Sequence, residues 1–336
     1  MDLPTIWFCV IAAFWLGYLF LEGFDFGVGM LMPVLGRDNT ERRVMINTIG
    51  PVWDGNEVWL IVAAGATFAA FPAWYASLFS AAYLPLLLVL LALIGRGVAF
   101  EYRGKVDTDH WRRTWDVVIV LGSWIPPLGV GLLLATTVLG LPLDVDGNRV
   151  GSAFEAFRWD TLLGAAAVVG FSLVHGATFL ALKTSGDLRA RARTLALRLL
   201  PFALLPLFAF VALVQWRHGS LWTAGLVAVA MLAGPVAWLR LRADRDGQAF
   251  AALGVVIAAA AVVLFGALYP NVLPSTLDAA NSLTVANASS SPYTLTVMTW
   301  VAAFGAPAVL IYQGWTYWVF RKRISTQHIP KVHVPR

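Results

Sequence analysis

Nine runs of predominantly apolar residues follow one another along the chain, near 6–31, 50–71, 75–99, 117–140, 161–182, 199–216, 221–239, 249–269 and 293–320. Each is close to the roughly 20 residues a helix needs to cross a hydrocarbon core. Their apolar positions are continuous rather than alternating, and the runs are too long for barrel strands. The pattern predicts an all-α, polytopic integral membrane protein with nine transmembrane helices in a single membrane domain over 1–336. The second run is the least apolar, because it opens with Asp54 and Glu57.

The connections carry a charge asymmetry that tests this count independently. Arg37, Arg42 and Arg43 follow the first run, and Arg103, Lys105, Arg112 and Arg113 follow the third. Lys183, Arg189, Arg191, Arg193 and Arg198 follow the fifth, Arg240, Arg242 and Arg245 the seventh, and Arg321, Lys322, Arg323, Lys331 and Arg336 the ninth. The alternate connections hold only Arg149, Arg158 and Arg217. Of 24 lysines and arginines, twenty fall on one side, three on the other, and Arg96 lies inside a run. An error of one helix would scramble this alternation. The prediction is an N-terminus outside and a C-terminus in the cytoplasm. The chain starts without a basic n-region or a small-residue cleavage site, so the first run is expected to be retained; no lipidation signature is evident.

Composition narrows the picture further. Of 336 residues, 59% are hydrophobic and 13% charged, with mean hydropathy +0.73. A soluble domain carries about 25% charged residues, so a soluble globule, a disordered chain and a nucleic-acid module are excluded. The basic pI near 9.6 then reads as an orientation signal facing anionic lipid. The one cysteine, Cys9, rules out an internal disulfide framework and an iron–sulfur cluster held by this chain alone.

Ionisable groups within the runs are functional candidates, since each costs at least about 2.5 kcal/mol to insert. They are Glu22 and Asp25, Asp54 and Glu57, Arg96 and Glu101, and His175. Each acid pair has i, i+3 spacing and shares a helix face. Because the first two helices run antiparallel, both pairs lie toward their cytoplasmic ends, and Gly23 and Gly27 permit close helix approach. One reading is a single buried polar cluster, open to cytoplasmic water, that passes protons inward. The other is that the acids pair with Arg96 or loop arginines and only hold the bundle together. His175 is either a haem ligand or a hydrogen-bonded bundle histidine. The remaining histidines, His110, His218, His328 and His333, lie in loops or the tail, so this chain cannot supply a bis-histidine site.

Three stretches carry a resemblance to a known family. They are Gly23-Phe24-Asp25-Phe26-Gly27 through Leu31, the segment from Asn39 through Ile61 that includes Trp53-Asp54-Gly55-Asn56-Glu57-Val58-Trp59, and Tyr269-Pro270 through Ser275 with Ser282-Leu283-Thr284 and Thr296 through Trp300. In these the chain resembles subunit II of the cytochrome bd quinol oxidases. The resemblance implies two four-helix bundles plus one peripheral helix, in a prokaryotic plasma membrane. It implies a complex that oxidises quinol and reduces dioxygen to water, in which subunit I holds haem b and haem d and this subunit ligates no metal. It further implies a cytoplasmic proton route through Asp54 and Asp25, with Glu57 and Glu22 in support. In some members an oxygen route begins at the tryptophan matching Trp59, a quinone is lodged in subunit II, or small accessory subunits are present. Glu57 and His175 stand where some members have glutamine. A reading from a different class is a proton-coupled secondary transporter with the acids as coupling site; a third is a purely architectural subunit.

Overall fold

The computed structural model describes residues 2–152 and 157–329. Glu155 of the fourth connection and Lys331, His333 and Arg336 of the tail lie outside the described residues. Twelve α-helices dominate the described residues: α1 (Leu3–Leu35), α2 (Asn39–Ile49), α3 (Trp53–Ala70), α4 (Pro72–Ala81), α5 (Tyr83–Tyr102), α6 (Asp109–Leu139), α7 (Trp159–Lys183), α8 (Gly186–Ala203), α9 (Leu205–His218), α10 (Leu221–Arg242), α11 (Asp246–Leu268) and α12 (Pro292–Val319). Side-chain caps start several of them. Asp2 accepts from the Thr5 backbone N–H at 3.1 Å, Asp38 from that of Glu41 at 2.8 Å, and Thr108 from that of Trp111 at 3.3 Å; each satisfies a donor that a helix start leaves without an intrahelical partner.

Among the described residues, eight helical segments are long and apolar enough to cross a membrane, with α8 and α9 together forming one of them. The expected second span is not among the eight. It is α3, whose first turns carry Asp54, Asn56 and Glu57 and so lower its apolarity. At 18 residues α3 is about 27 Å long. Two expected boundaries are corrected. The run at 75–99 is broken at Ala82 into α4 and α5, and the run at 199–216 begins at Gly186 and breaks at Leu204. Pro85 and Pro206 explain the breaks, since a proline ring clashes with the carbonyl four residues earlier and offers no N–H. The arginine-rich start of α8 reads as loop from composition. It is helical because its arginines meet acids: Arg191 meets Glu41 at 2.5 Å and Arg189 meets Asp246 at 2.7 Å.

The helices pack as two groups. In the first, α1 packs on α3 and α6, and α5 lies against α6; in the second, α7, α8, α9, α10 and α11 pack together. The groups meet where α7 crosses α1 and α6. That seam is backbone against backbone. A Cβ placed on Gly27 would come within 2.0 Å of the Ser172 carbonyl oxygen, and one on Gly176 within 2.4 Å of the Gly27 carbonyl carbon. Helix α12 lies outside both groups and buries only Leu295.

Charges sort to the ends of this bundle. At one end Asp116 takes Arg42 at 2.8 Å and Arg103 at 2.5 Å, while Asp246 takes Arg189 at 2.7 Å and Arg323 at 3.3 Å. The same end holds Glu41, Asp187, Arg37 and Arg191. At the opposite end Asp160 is held by Arg158 and Arg217, and a short antiparallel pair, β1 (Asn271–Leu273) with β2 (Leu283–Thr284), covers the helix tips.

The α1–α7 contact generates a stability prediction. Gly27→Leu forces two helix backbones apart, and overpacking of this kind costs about 1–3 kcal/mol or more. Purified Gly27→Leu should lose its monodisperse peak in detergent at a lower temperature than the parent. Gly305→Ala on α12, where an added Cβ meets nothing within 4 Å, should not. Equal thermal stability of the two variants would contradict the packing account.

Candidate functional site

The polar cluster is built by α1, α3 and α5 in the first helix group. Glu22 and Asp25 stand one turn apart on α1 and are fully buried. Arg96 on α5 is fully buried as well. Its guanidinium joins the two helices that carry the acids: Nη1 donates to Glu22 Oε2 at 3.1 Å and to Glu57 Oε1 at 2.8 Å. The guanidinium also lies over the rings of Phe26 and Phe100, at 4.8 and 5.1 Å from their centroids. Cation–π contact compensates part of the lost hydration of a buried arginine.

Asp25 takes a different partner. Asn56 Nδ2 donates to its Oδ2 at 2.6 Å. The Asn56 carbonyl in turn accepts from Tyr317 Oη at 2.8 Å and from Gln313 Nε2 at 3.1 Å, both on α12. Trp59 Nε1 donates to Gln313 Oε1 at 2.9 Å. Glu22 Oε1, Asp25 Oδ1, Tyr18 Oη and Arg96 Nε and Nη2 are buried with no hydrogen-bond partner among the described residues.

Three buried or half-buried carboxylates therefore face one guanidinium. With every group ionised the cluster would carry two uncompensated negative charges, which a low-dielectric bundle penalises heavily. Chemically, such a cluster is suited to binding protons, because each one bound would relieve that charge.

The sequence-derived candidates divide. The structure brings Glu22, Asp25, Glu57 and Arg96 together. Asp54, expected inside the same cluster, is exposed in the first turn of α3 and makes no hydrogen bond or ion pair among the described residues. It stands one turn before Glu57, whose side chain is 19% exposed. Asp54 lies in the first turn of α3, where its carboxylate rests near the positive end of the helix dipole.

His175 is fully buried away from this cluster. The rings of Phe171 and Phe250 stack on it at 4.8 and 4.3 Å, and those of Phe20 and Phe24 stand 5.0 and 5.8 Å away. A haem macrocycle at either ring nitrogen would displace these phenylalanines, so the residues present do not fit an axial ligand site. Met30 and Met32 are core packing residues.

Asn56, Gln313 and Tyr317 are not among the sequence-derived candidates for this cluster, which were ionisable groups only. A signal was present. An amide inside an apolar run needs a partner just as a charge does, and Gln313 stands in such a run.

A family model described as cytochrome bd terminal oxidase subunit II matches residues 3–320. The chain is 44% identical over 330 residues to the cytochrome bd ubiquinol oxidase subunit 2 of Bacillus subtilis, covering 96% of this chain and 97% of that one. It is 35% identical over 376 aligned positions to the cytochrome bd-I ubiquinol oxidase subunit 2 of Escherichia coli, covering 98% and 97%. A chain in the structure of the bd oxidase from Geobacillus thermodenitrificans superposes with TM-score 0.77 at 20% identity, over 96% of this chain and all of that one; it shares the fold.

The electrostatics of the cluster predict an asymmetric response to mutation. Arg96→Leu leaves Glu22 and Glu57 without a cation and should cost about 3–5 kcal/mol of stability, read as a lowered melting temperature in detergent. Combining it with Glu22→Gln and Glu57→Gln should recover much of that loss. No recovery in the triple variant would show that Arg96 acts through something other than these acids.

Proposed function

Because the chain belongs to the cytochrome bd terminal oxidase subunit II family, we propose that it is the non-haem subunit of a bd-type quinol oxidase and forms the cytoplasmic proton inlet of the complex. It works in the bacterial plasma membrane as a multi-pass protein. The quinol oxidation and oxygen reduction belong to the complex, with haem b and haem d held by subunit I. The lack of fit around His175 supports that division of labour. Nine membrane crossings, with the C-terminus in the cytoplasm, follow if α3 crosses beside α1, and the arginine-rich end of the bundle is then the cytoplasmic face. The whole chain acts as one membrane domain.

One observation carries the inlet reading: a graded series of carboxylates from surface to core. Asp54 is exposed, Glu57 half-buried against Arg96, and Glu22 and Asp25 fully buried. A proton captured at Asp54 passes to Glu57 one turn further along α3. Arg96 then bridges to Glu22, and Asp25 lies one turn beyond on α1. The free polar atoms of Tyr18, Glu22, Asp25 and Arg96 offer the donors and acceptors along which a proton hops. Arg96 holds the carboxylates close without itself giving up a proton, since guanidinium stays charged. Inward proton uptake here, with quinol protons released on the other face, separates charge without a pump.

Other features of the family fit less specific parts of the structure. The groove of about 540 Å³ between α1 and α11, lined by Phe8, Leu16, Trp222, Phe265 and Tyr269, has the apolar walls that a lodged quinone needs. Trp59, half-buried beside Gly17, is the position from which an oxygen route toward the partner's haem would start. Large apolar side chains exposed on α3 and α5, among them Ile61, Leu84, Leu88 and Ile94, suit contact with lipid or with subunit I. A proton-coupled carrier is set aside by the family membership.

The inlet reading predicts that Asp54→Asn and Glu57→Gln each slow quinol-driven oxygen consumption, and that together they do so by about tenfold or more. The haem spectrum of the purified complex should remain that of the parent. Unaltered turnover in the double variant would remove the acids of α3 from the mechanism; loss of haem would make them structural.

A further inference from the structure

We propose that Gln313 and Tyr317 of the peripheral helix α12 are positioning residues for Asp25, and that Trp59 sets the polarity of the hydrogen-bonded chain through which they act. The inference rests on the proton-inlet reading and adds a part to it. An indole N–H can only donate. Trp59 therefore requires the oxygen of the Gln313 amide, at 2.9 Å. That turns the Gln313 nitrogen toward Asn56, whose oxygen it meets at 3.1 Å. Tyr317 Oη occupies the same oxygen at 2.8 Å. The Asn56 nitrogen is left facing Asp25, at 2.6 Å from Oδ2. Every link runs donor to acceptor in one direction, from Trp59 to Asp25, and no amide in it can flip without placing like groups against each other.

The consequence for Asp25 is specific. Asn56 occupies its Oδ2 with a donor, so Oδ1, buried and otherwise unpartnered, is the oxygen that exchanges a proton. The charged and titratable groups facing this site come from four helices: Glu22 and Tyr18 on α1, Glu57 on α3, Arg96 on α5 and Tyr317 on α12. Of these helices α12 is the least embedded. Its inner half is tied to α3 through Asn56 and Trp59, and its outer half to α1 through Trp7 Nε1, which reaches Thr299 Oγ1 at 3.0 Å and the Leu295 carbonyl at 3.3 Å. The two ties separate anchoring from positioning, because only the inner one ends on a carboxylate.

The test is a double-mutant cycle on the purified, haem-loaded complex. Gln313→Leu combined with Tyr317→Phe should lower quinol-driven oxygen consumption by about tenfold in the parent background. In an Asp25→Asn background, itself slowed, it should add no further loss, since residues acting through one carboxylate are non-additive. Trp7→Phe, which loosens α12 at its other end, should leave turnover at the parent level. Tyr317→Phe alone, which removes one oxygen and is the milder change, should show a smaller loss that also vanishes with Asp25→Asn. Losses that multiply in the Asp25→Asn background, an equal loss in Trp7→Phe, or unaltered turnover where Asp25→Asn is slow would each overturn the positioning role. Unaltered turnover in Asp25→Asn itself would overturn the inlet reading, and this inference with it.

Discussion

A single buried guanidinium organises this protein. Arg96 is enclosed by hydrocarbon and aromatic rings, and it survives there because Glu22 and Glu57 reach it from two other helices. Removing Arg96 leaves both carboxylates in a medium that cannot solvate them. The arrangement therefore fixes the register of α1, α3 and α5 against one another. It also holds more carboxylate than cation at one depth of the bundle, the feature on which the proposed proton inlet rests.

Much of this was legible from the chain. The apolar runs located the helices because hydrocarbon tolerates only segments that satisfy their own backbone. The i, i+3 spacing put Glu22 with Asp25 on one face, and the arginine count sorted the loops. Boundaries were less legible. The breaks at Ala82 and Leu204 come from Pro85 and Pro206, which do not interrupt a hydropathy profile, and the helical start of α8 depends on partners far away in sequence. The fate of Asp54 was not legible. Its spacing from Glu57 matches that of the first pair, yet Asp54 is exposed in the first turn of α3 while Glu57 is half-buried against Arg96. The amide chain was invisible for a similar reason: Asn56 and Gln313 are 257 residues apart, and nothing local joins them.

Of the two readings of the acids weighed from sequence, structural pairing is seen in the Arg96 contacts, and the proposed proton path uses the same atoms. Glu57 shows how. It is half-buried, paired with Arg96, and one turn from exposed Asp54, so it both closes the cluster electrostatically and opens it toward water. In relatives with glutamine at this position, the guanidinium would meet a neutral amide oxygen instead, and the cluster would hold one carboxylate fewer. His175 illustrates the opposite outcome, a residue of functional type that the fold uses as one aromatic layer among phenylalanines.

The central claim is that the buried carboxylates bind and release protons during turnover. Infrared difference spectroscopy of the complex, recorded between its reduced and oxidised states, reads this directly through the carbonyl stretch of protonated carboxyl groups. The account predicts a carboxyl difference band in the parent complex that is lost or displaced in both Glu22→Gln and Asp25→Asn. A band that is the same in the parent and in both variants would contradict it.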